Sequence, residues 1–325
     1  MKKLFALITL LTICLTVFAA CTPEDNTQLR VGYMAGPTGM GMAKLIHDNA
    51  QNEAENVKYS FSKYSKTENA FKDFSAGNID LICVPTNEAA KYYNAANNDT
   101  VVLSINCLGT LYLISDNTVE FTSFDQLEGK TIYTCSDGNP KMVLDYLLEA
   151  TGINATVLTS INNKEIVSPQ DILAAAKSGL IDIAVAPEPI VTSITLQNSS
   201  FSVDLNLSNV WNECVDTQLT MGCIIAKRSF VNEHKSLINS FLSEYKASIE
   251  FINAAKNVES AAQYIVDAEI MGAVPAAKKS LNNLRGAIAY LDGNEMKAAL
   301  VGFYNAIGTD NIGGTLPNDE FYYKK

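Results

Sequence analysis

The chain is poor in histidine, in positive charge and in long apolar runs, and each shortage removes a class of function. His47 and His234 are the whole supply of imidazole. Both fall in helix-like stretches, where a solvated or packed ring is expected. No G-x-S-x-G, H-E-x-x-H, Walker A or G-x-G-x-x-G spacing occurs, and "GMGMA" at Gly39 is too short and misplaced for a dinucleotide loop. No metal and no cofactor are therefore expected, and no catalytic residue stands out. Lys and Arg number 24 against 35 Asp and Glu, a net charge of −11. Such a surface repels a phosphate backbone, so no nucleic-acid partner is expected.

Cysteine is sparse and unpatterned. Beyond Cys21 come Cys83, Cys107, Cys135, Cys214 and Cys223, an odd number without C-x-x-C spacing. A disulfide scaffold shows an even, patterned count, so these residues are expected to act mainly as small buried hydrophobes. A single disulfide among them stays open. Cys135 is the one thiol worth weighing as a nucleophile, and it lacks a nearby histidine.

The one long apolar run is N-terminal. Lys2 and Lys3 precede Leu4 to Ala20, with Ala19 and Ala20 directly before Cys21. A charged start, an apolar middle and small residues at the end describe an export signal over residues 1–20. The run is shorter than the roughly 20 residues of a spanning helix. A cysteine after Ala-Ala resembles a bacterial lipobox, whose thiol is acylated, with palmitate among the acyl groups; Phe18 departs from the usual Leu. An ordinary signal peptide or an uncleaved anchor is the alternative. Residues 21–28 then form a short polar tether, and loss of Lys2 and Lys3 leaves a mature charge of −13.

What is present suits a globular protein. Of 325 residues, 47 % are apolar and 18 % charged, enough for two domains with a sizeable core. The chain also carries an internal duplication. "FSAGNIDLICVPTNEAA" from Phe74 and "AKSGLIDIAVAPEPIVT" from Ala176 align at an offset of 102 residues. Each ends a helix at glycine, Gly77 and Gly179. Each continues as Ile-Asp and an apolar strand, and reaches proline eight residues after the glycine, at Pro85 and Pro187. At nearly the same offset, "KTIYTCSDGNPKMVLDYLLEATG" repeats the strand, turn and helix of "VGYMAGPTGMGMAKLIHDN".

The apolar runs "DLICV" and "DIAVA" suit parallel strands covered on both faces. In open α/β sheets the ligand sits outside the carboxyl ends of the strands, where both turns and both prolines fall. Val101 to Asp116 is long and β-rich, with Gly109 in the middle as a natural bend, and Leu219 to Ala226 reads as another strand. Helices are expected over Val231–Ala255, Pro275–Tyr290 and Asn294–Ile307. Two crossing strands between two similar lobes describe a clamshell.

The ordered set "LRVGYMAGPTGMGMAKLI", "GNIDLICVP", "LEGKTIYTCSDGNP", "SGLIDIAVAPEP" and "MGCIIAKRSFVNEHKSLINSFLSEYKASIEFI" resembles the substrate-binding lipoproteins of ABC importers. Within them it is most similar to the nitrate, sulfonate and taurine binders and the thiamine-pyrimidine-precursor binders. The resemblance covers roughly residues 29–310. It implies a periplasmic-binding-protein-like (type II) α/β clamshell, with residues 29–110 and 221–325 in lobe 1 and residues 111–220 in lobe 2. It also implies a monomer, exported and lipid-anchored on the extracytoplasmic face, that hands a small organic molecule to a permease driven by a cytoplasmic ATPase. A ligand-sensing lipoprotein with a signalling partner keeps the same fold. The thiamine-pyrimidine synthases of this fold use a His- and Cys-rich segment that is absent here.

By position, the resemblance places Gly36, Pro37, Thr38 and Gly39 in the first ligand loop, with Thr38 as a helix cap. Ser136, Asp137, Gly138 and Asn139 form the facing loop, with Pro140 at the first helical position. Thr86, Asn87 and Glu188 follow the two prolines. Leu108, Gly109 and Thr110 lie on one crossing strand, Gln218 and Thr220 on the other. The loops and their surroundings carry Asp137, Glu88, Glu188 and Asp216 against Lys141, while Arg30, Arg228 and Arg285 lie elsewhere. Tyr33, Tyr133 and Trp211 are candidates to stack on a flat ring. The balance points to a neutral, zwitterionic or cationic solute, with a sulfonate left open.

Overall fold

The computed structural model describes residues 27–51, 58–95, 99–136 and 138–324. The expected export signal, Cys21, most of the tether and Asp137 lie outside the described residues.

Strands β1 (Leu29–Met34), β2 (Tyr59–Tyr64), β3 (Leu81–Pro85) and β4 (Thr100–Leu108) start a first sheet. β5 (Leu111–Asp116), β6 (Thr131–Tyr133) and β7 (Thr156–Leu158) start a second, followed by a small hairpin of β8 (Ser160–Ile161) and β9 (Lys164–Glu165). β10 (Ile183–Pro187) and β11 (Phe201–Asn206) complete the second sheet, and β12 (Thr220–Lys227) and β13 (Ile288–Leu291) return to the first. The orders are β2-β1-β3-β12-β4-β13 and β7-β6-β10-β5-β11.

The two sheets repeat one plan. In each, a central strand pairs in parallel with two others, β1 with β2 and β3, and β6 with β7 and β10. The next neighbour is antiparallel in both sheets and arrives from the other half of the chain: β12 beside β3, β5 beside β10. β3 and β10 stand 102 residues apart, at the offset of the sequence repeat. The sheets are therefore mixed: "DLICV" and "DIAVA" each have the expected parallel neighbour on one side and an antiparallel one on the other. Their continuous apolarity reflects cover on both faces, which an antiparallel neighbour permits equally.

Alternation along β10 divides the packing. Ile183 and Val185 join the large core that runs through both sheets, while Ala184 and Ala186 face a second cluster around Ile172, Val191 and Ile194. Trp211 is fully buried; its Nε1–H donates to the Thr217 carbonyl at 2.9 Å, and Tyr146 and Phe303 flank its ring. A buried aromatic side chain of this kind contributes about 3–5 kcal/mol when judged by truncation. Trp211 thus serves packing and not ring stacking in a cleft.

The β-rich run over Val101–Asp116 turns at Gly109, as expected. β4 and β5 belong to different sheets, and the chain crosses at Gly109 and Thr110. A Cβ on Gly109 would lie 1.9 Å from Ser208 Oγ, so a side chain has no room at this crossing. The expected Val231–Ala255 helix is two helices, Arg228–Glu233 and Lys235–Asn253, with His234 at their junction. The Pro275–Tyr290 expectation is also corrected. Its helix spans Val274–Asn283, and Ile288–Leu291 pairs with β4 as an edge strand. A four-residue apolar run has no periodicity to separate helix from strand. Among the described residues, no helix is long and apolar enough to cross a membrane.

Candidate solute-binding cleft

Both copies of the repeat enter their first helix through a glycine of unusual conformation. Gly36 has φ 102° and ψ −162°, and Gly138 has φ 86° and ψ −174°; each is the residue before a helix with proline in its first turn. Such positive φ strongly favours glycine. No side-chain cap bond is made at either start. Thr38 is therefore not a cap: Pro37 opens the short Pro37–Met40 helix, and Thr38 lies inside it. Pro140 is likewise the second residue of the Asn139–Thr151 helix, not the first.

Between the carboxyl ends of the two sets of parallel strands lies a cavity of about 730 Å³. Of the residues expected at the ligand, Gly36, Pro37, Thr38, Asn87, Thr110, Gly138, Asn139 and Glu188 lie on its wall. Gly39, Thr86, Leu108, Gly109, Ser136, Gln218 and Thr220 do not, and the structure gives several of them other work. A Cβ on Gly39 would sit 2.0 Å from the Met34 carbonyl oxygen, so this glycine lets the helix pack against β1. The Thr86 hydroxyl donates to the Thr220 carbonyl at 2.8 Å, tying the end of β3 to the start of β12. At the equivalent place in the second sheet, the Glu188 amide donates to the Thr110 carbonyl at 2.9 Å.

The Glu188 side chain turns into the protein and is only 1 % exposed. Its Oε1 accepts from Thr192 Oγ1 at 3.0 Å and Asn283 Nδ2 at 2.5 Å; its Oε2 accepts from Ser280 Oγ at 3.2 Å. Burial pushes its carboxyl above the usual range, although these donors pull the other way. Ser280 and Asn283 belong to the Val274–Asn283 helix, and Tyr112 on β5 also donates to the Asn283 carbonyl at 2.7 Å. Glu188 thus anchors a C-terminal helix to the second sheet.

The charges on the wall also differ from expectation. Lys141 pairs with Asp145 along its own helix, off the wall. Lys91 is on the wall instead, 2.9 Å from Glu88 Oε1. Arg30, Arg228 and Arg285 are not on it, and Arg30 is held by Asp80 through Nε at 3.0 Å. Tyr33 spends its hydroxyl on the Ala268 carbonyl.

Sequence reasoning missed Ser65, Thr67, Glu68 and Phe71 on one side and Val167, Pro169 and Gln170 on the other. Ser65 to Phe71 follow β2, which runs parallel to β1 and so ends on the same edge; Val167, Pro169 and Gln170 follow the β8–β9 hairpin that comes after β7. Phe71 stacks on Tyr92 with centroids 4.6 Å apart and gives the cleft an aromatic face. Cys135 is buried and off the wall, and burial pushes its thiol up to about 11, unsuited to nucleophilic attack. All five cysteines beyond Cys21 are free.

Residues 100–257 match a protein-family model described as NMT1/THI5 like. An ABC transporter structure from Parabacteroides distasonis is similar with TM-score 0.76 and 18 % identity, over 92 % of this chain and 99 % of that one. The chain has the periplasmic-binding-protein fold and carries an NMT1/THI5-like domain. The periplasmic aliphatic sulphonate binding protein SsuA from Escherichia coli is similar at TM-score 0.69 and 16 % identity, over 93 % of each chain. The periplasmic nitrate-binding protein NrtA from Synechocystis PCC 6803 gives TM-score 0.57 and 14 % identity, over 83 % of this chain and 74 % of that one. No curated protein matches the chain. The NMT1/THI5-like segment supplies Thr110, Gly138, Asn139 and Glu188 to the cleft wall, and residues before it supply the facing side.

Proposed function

We propose that the protein is an extracytoplasmic solute-binding lipoprotein, anchored through acylated Cys21, that captures a small organic molecule between two lobes and delivers it to an ABC importer. The observation that carries this reading is the cavity of about 730 Å³ between the strand ends of two sheets with the same plan. Its volume lies in the range of small-molecule sites, and its place is where open α/β sheets hold ligands. The lobes are residues 29–110 with 221–325, and residues 111–220. The crossings near Thr110 and Thr220 are the hinges, so closure moves each lobe as a body. The sulphonate- and nitrate-binding proteins of the same fold support a binding role over a catalytic one.

A solute held by the native chain alone must raise its stability. At about a hundred times its dissociation constant the gain is roughly 2.7 kcal/mol. For domains of this size that is a midpoint rise of about 5–10 °C. A thermal-shift screen of sulfonates, taurine, heteroaromatic vitamins, amino acids and amines should give at least one saturable rise. A flat response across all of these classes contradicts solute capture.

A further inference from the structure

Resting on the solute-cleft reading, we propose that the solute is a small organic amine bound as its ammonium ion, not an oxoanion. Lys91 apart, the wall's side-chain donors are neutral hydroxyls and carboxamides, such as Thr38, Ser65, Thr67, Thr110 and Gln170, and its backbone donors are thinned by proline. Six of the nine prolines of the chain lie on it: Pro37, Pro85, Pro140, Pro169, Pro187 and Pro189. Proline has no N–H, so the backbone at these six places offers only carbonyls. Three of them stand in the first turn of the Pro37–Met40, Asn139–Thr151 and Pro169–Lys177 helices. An oxoanion draws its donors from such first turns. At the third helix, Ser168 and Asp171 already exchange capping bonds. No arginine is on the wall, and its one lysine, Lys91, is engaged by Glu88.

Each side of the cleft, in contrast, carries an acceptor without a partner. Asn87 is 2 % exposed, and its Oδ1 has no donor. Its Nδ2 donates to Glu88 Oε1 at 3.0 Å, which fixes the other end of the carboxamide as the acceptor. Across the cleft, Asn139 is 9 % exposed and its Oδ1 also lacks a donor. A buried acceptor left unpaired is unfavourable until a donor reaches it. The Asn139 carboxamide makes no hydrogen bond among the described residues, so its soft terminal torsion can turn the oxygen to the cleft; that of Asn87 turns only by giving up its bond to Glu88. The Glu68 carboxylate is exposed on the same wall and pairs with no cation among the described residues. An ammonium group brings three donors and a positive charge to these oxygens. A sulfonate or nitrate brings only further acceptors.

The test is calorimetric titration of the whole mature chain at fixed ionic strength with putrescine, butylamine and agmatine, and separately with ethanesulfonate and nitrate. At least one amine should bind saturably and neither anion should. Asn139→Leu should weaken that amine by about tenfold or more, as loss of a charge-assisted bond requires. Glu68→Gln, at an exposed position that leaves the fold intact, should weaken it and flatten its salt dependence. Absence of binding by all three amines overturns the proposal. Amine binding that neither substitution changes also overturns it, because the site then lies elsewhere. Saturable anion binding that Asn139→Leu weakens overturns the amine assignment and leaves the cleft as a solute site. Binding by neither class, with a flat thermal-shift screen, removes both.

Discussion

Glu188 shows how one side chain can be placed at the cleft by sequence and still do something else. The residue after Pro187 lies on the wall, yet its carboxylate is buried among Thr192, Ser280 and Asn283. Because burial raises its pKa in the folded chain, the folded state holds the proton more tightly than the unfolded one. The associated stability is fully present below the ordinary glutamate value and is lost as pH rises through the higher folded value. Glu188→Gln cannot titrate. Melting temperatures from pH 4 to 8 should therefore fall with rising pH more steeply in the wild type than in this variant. Parallel curves would mean that Glu188 carries no such shift. The sequence placed Glu188, Asn139 and Asn87 at strand and turn ends through the repeat offset. It held no sign that Asn283, 95 residues further on, would occupy the first of them. Contacts of that range depend on how helices dock, and local spacing is silent about it.

At the scale of elements, the duplicated parts were the legible ones. β3 and β10 carry the same glycine-to-proline spacing, and the structure gives both the same neighbours on each side. The paired glycines Gly36 and Gly138 likewise share one backbone conformation. The unrepeated parts were harder to read. β13 reads as the tail of a helix because "IAYL" is apolar and short, and only pairing with β4 makes it a strand. The break at His234 was hidden by apolar spacing that continues through the junction between two helices. The Val274–Asn283 helix is the element with most consequence for motion. It follows β12 in the chain, yet reaches the second sheet through Glu188, Tyr112 and a Lys279–Thr195 contact of 2.7 Å. On the proposed closure, one lobe moving against the other would have to carry or release this helix, in addition to bending at the two crossings.

For the whole molecule, the proposed function needs an anchor, a tether and a clamshell. Two or more acyl chains hold a protein on a membrane where one is marginal. The wild type should therefore sediment with membranes, and Cys21→Ala should be released or misprocessed. A correctly processed variant that stays equally membrane-bound would rule out lipidation as the attachment. The central claim concerns the cavity itself. Its most direct test is a crystal structure of the chain with a compound that raises its melting temperature. Density for that compound should appear between the Gly36–Thr38 turn and Gly138–Asn139, within reach of Asn87. Density for the compound at any other place, with that cavity holding only water, would contradict that claim.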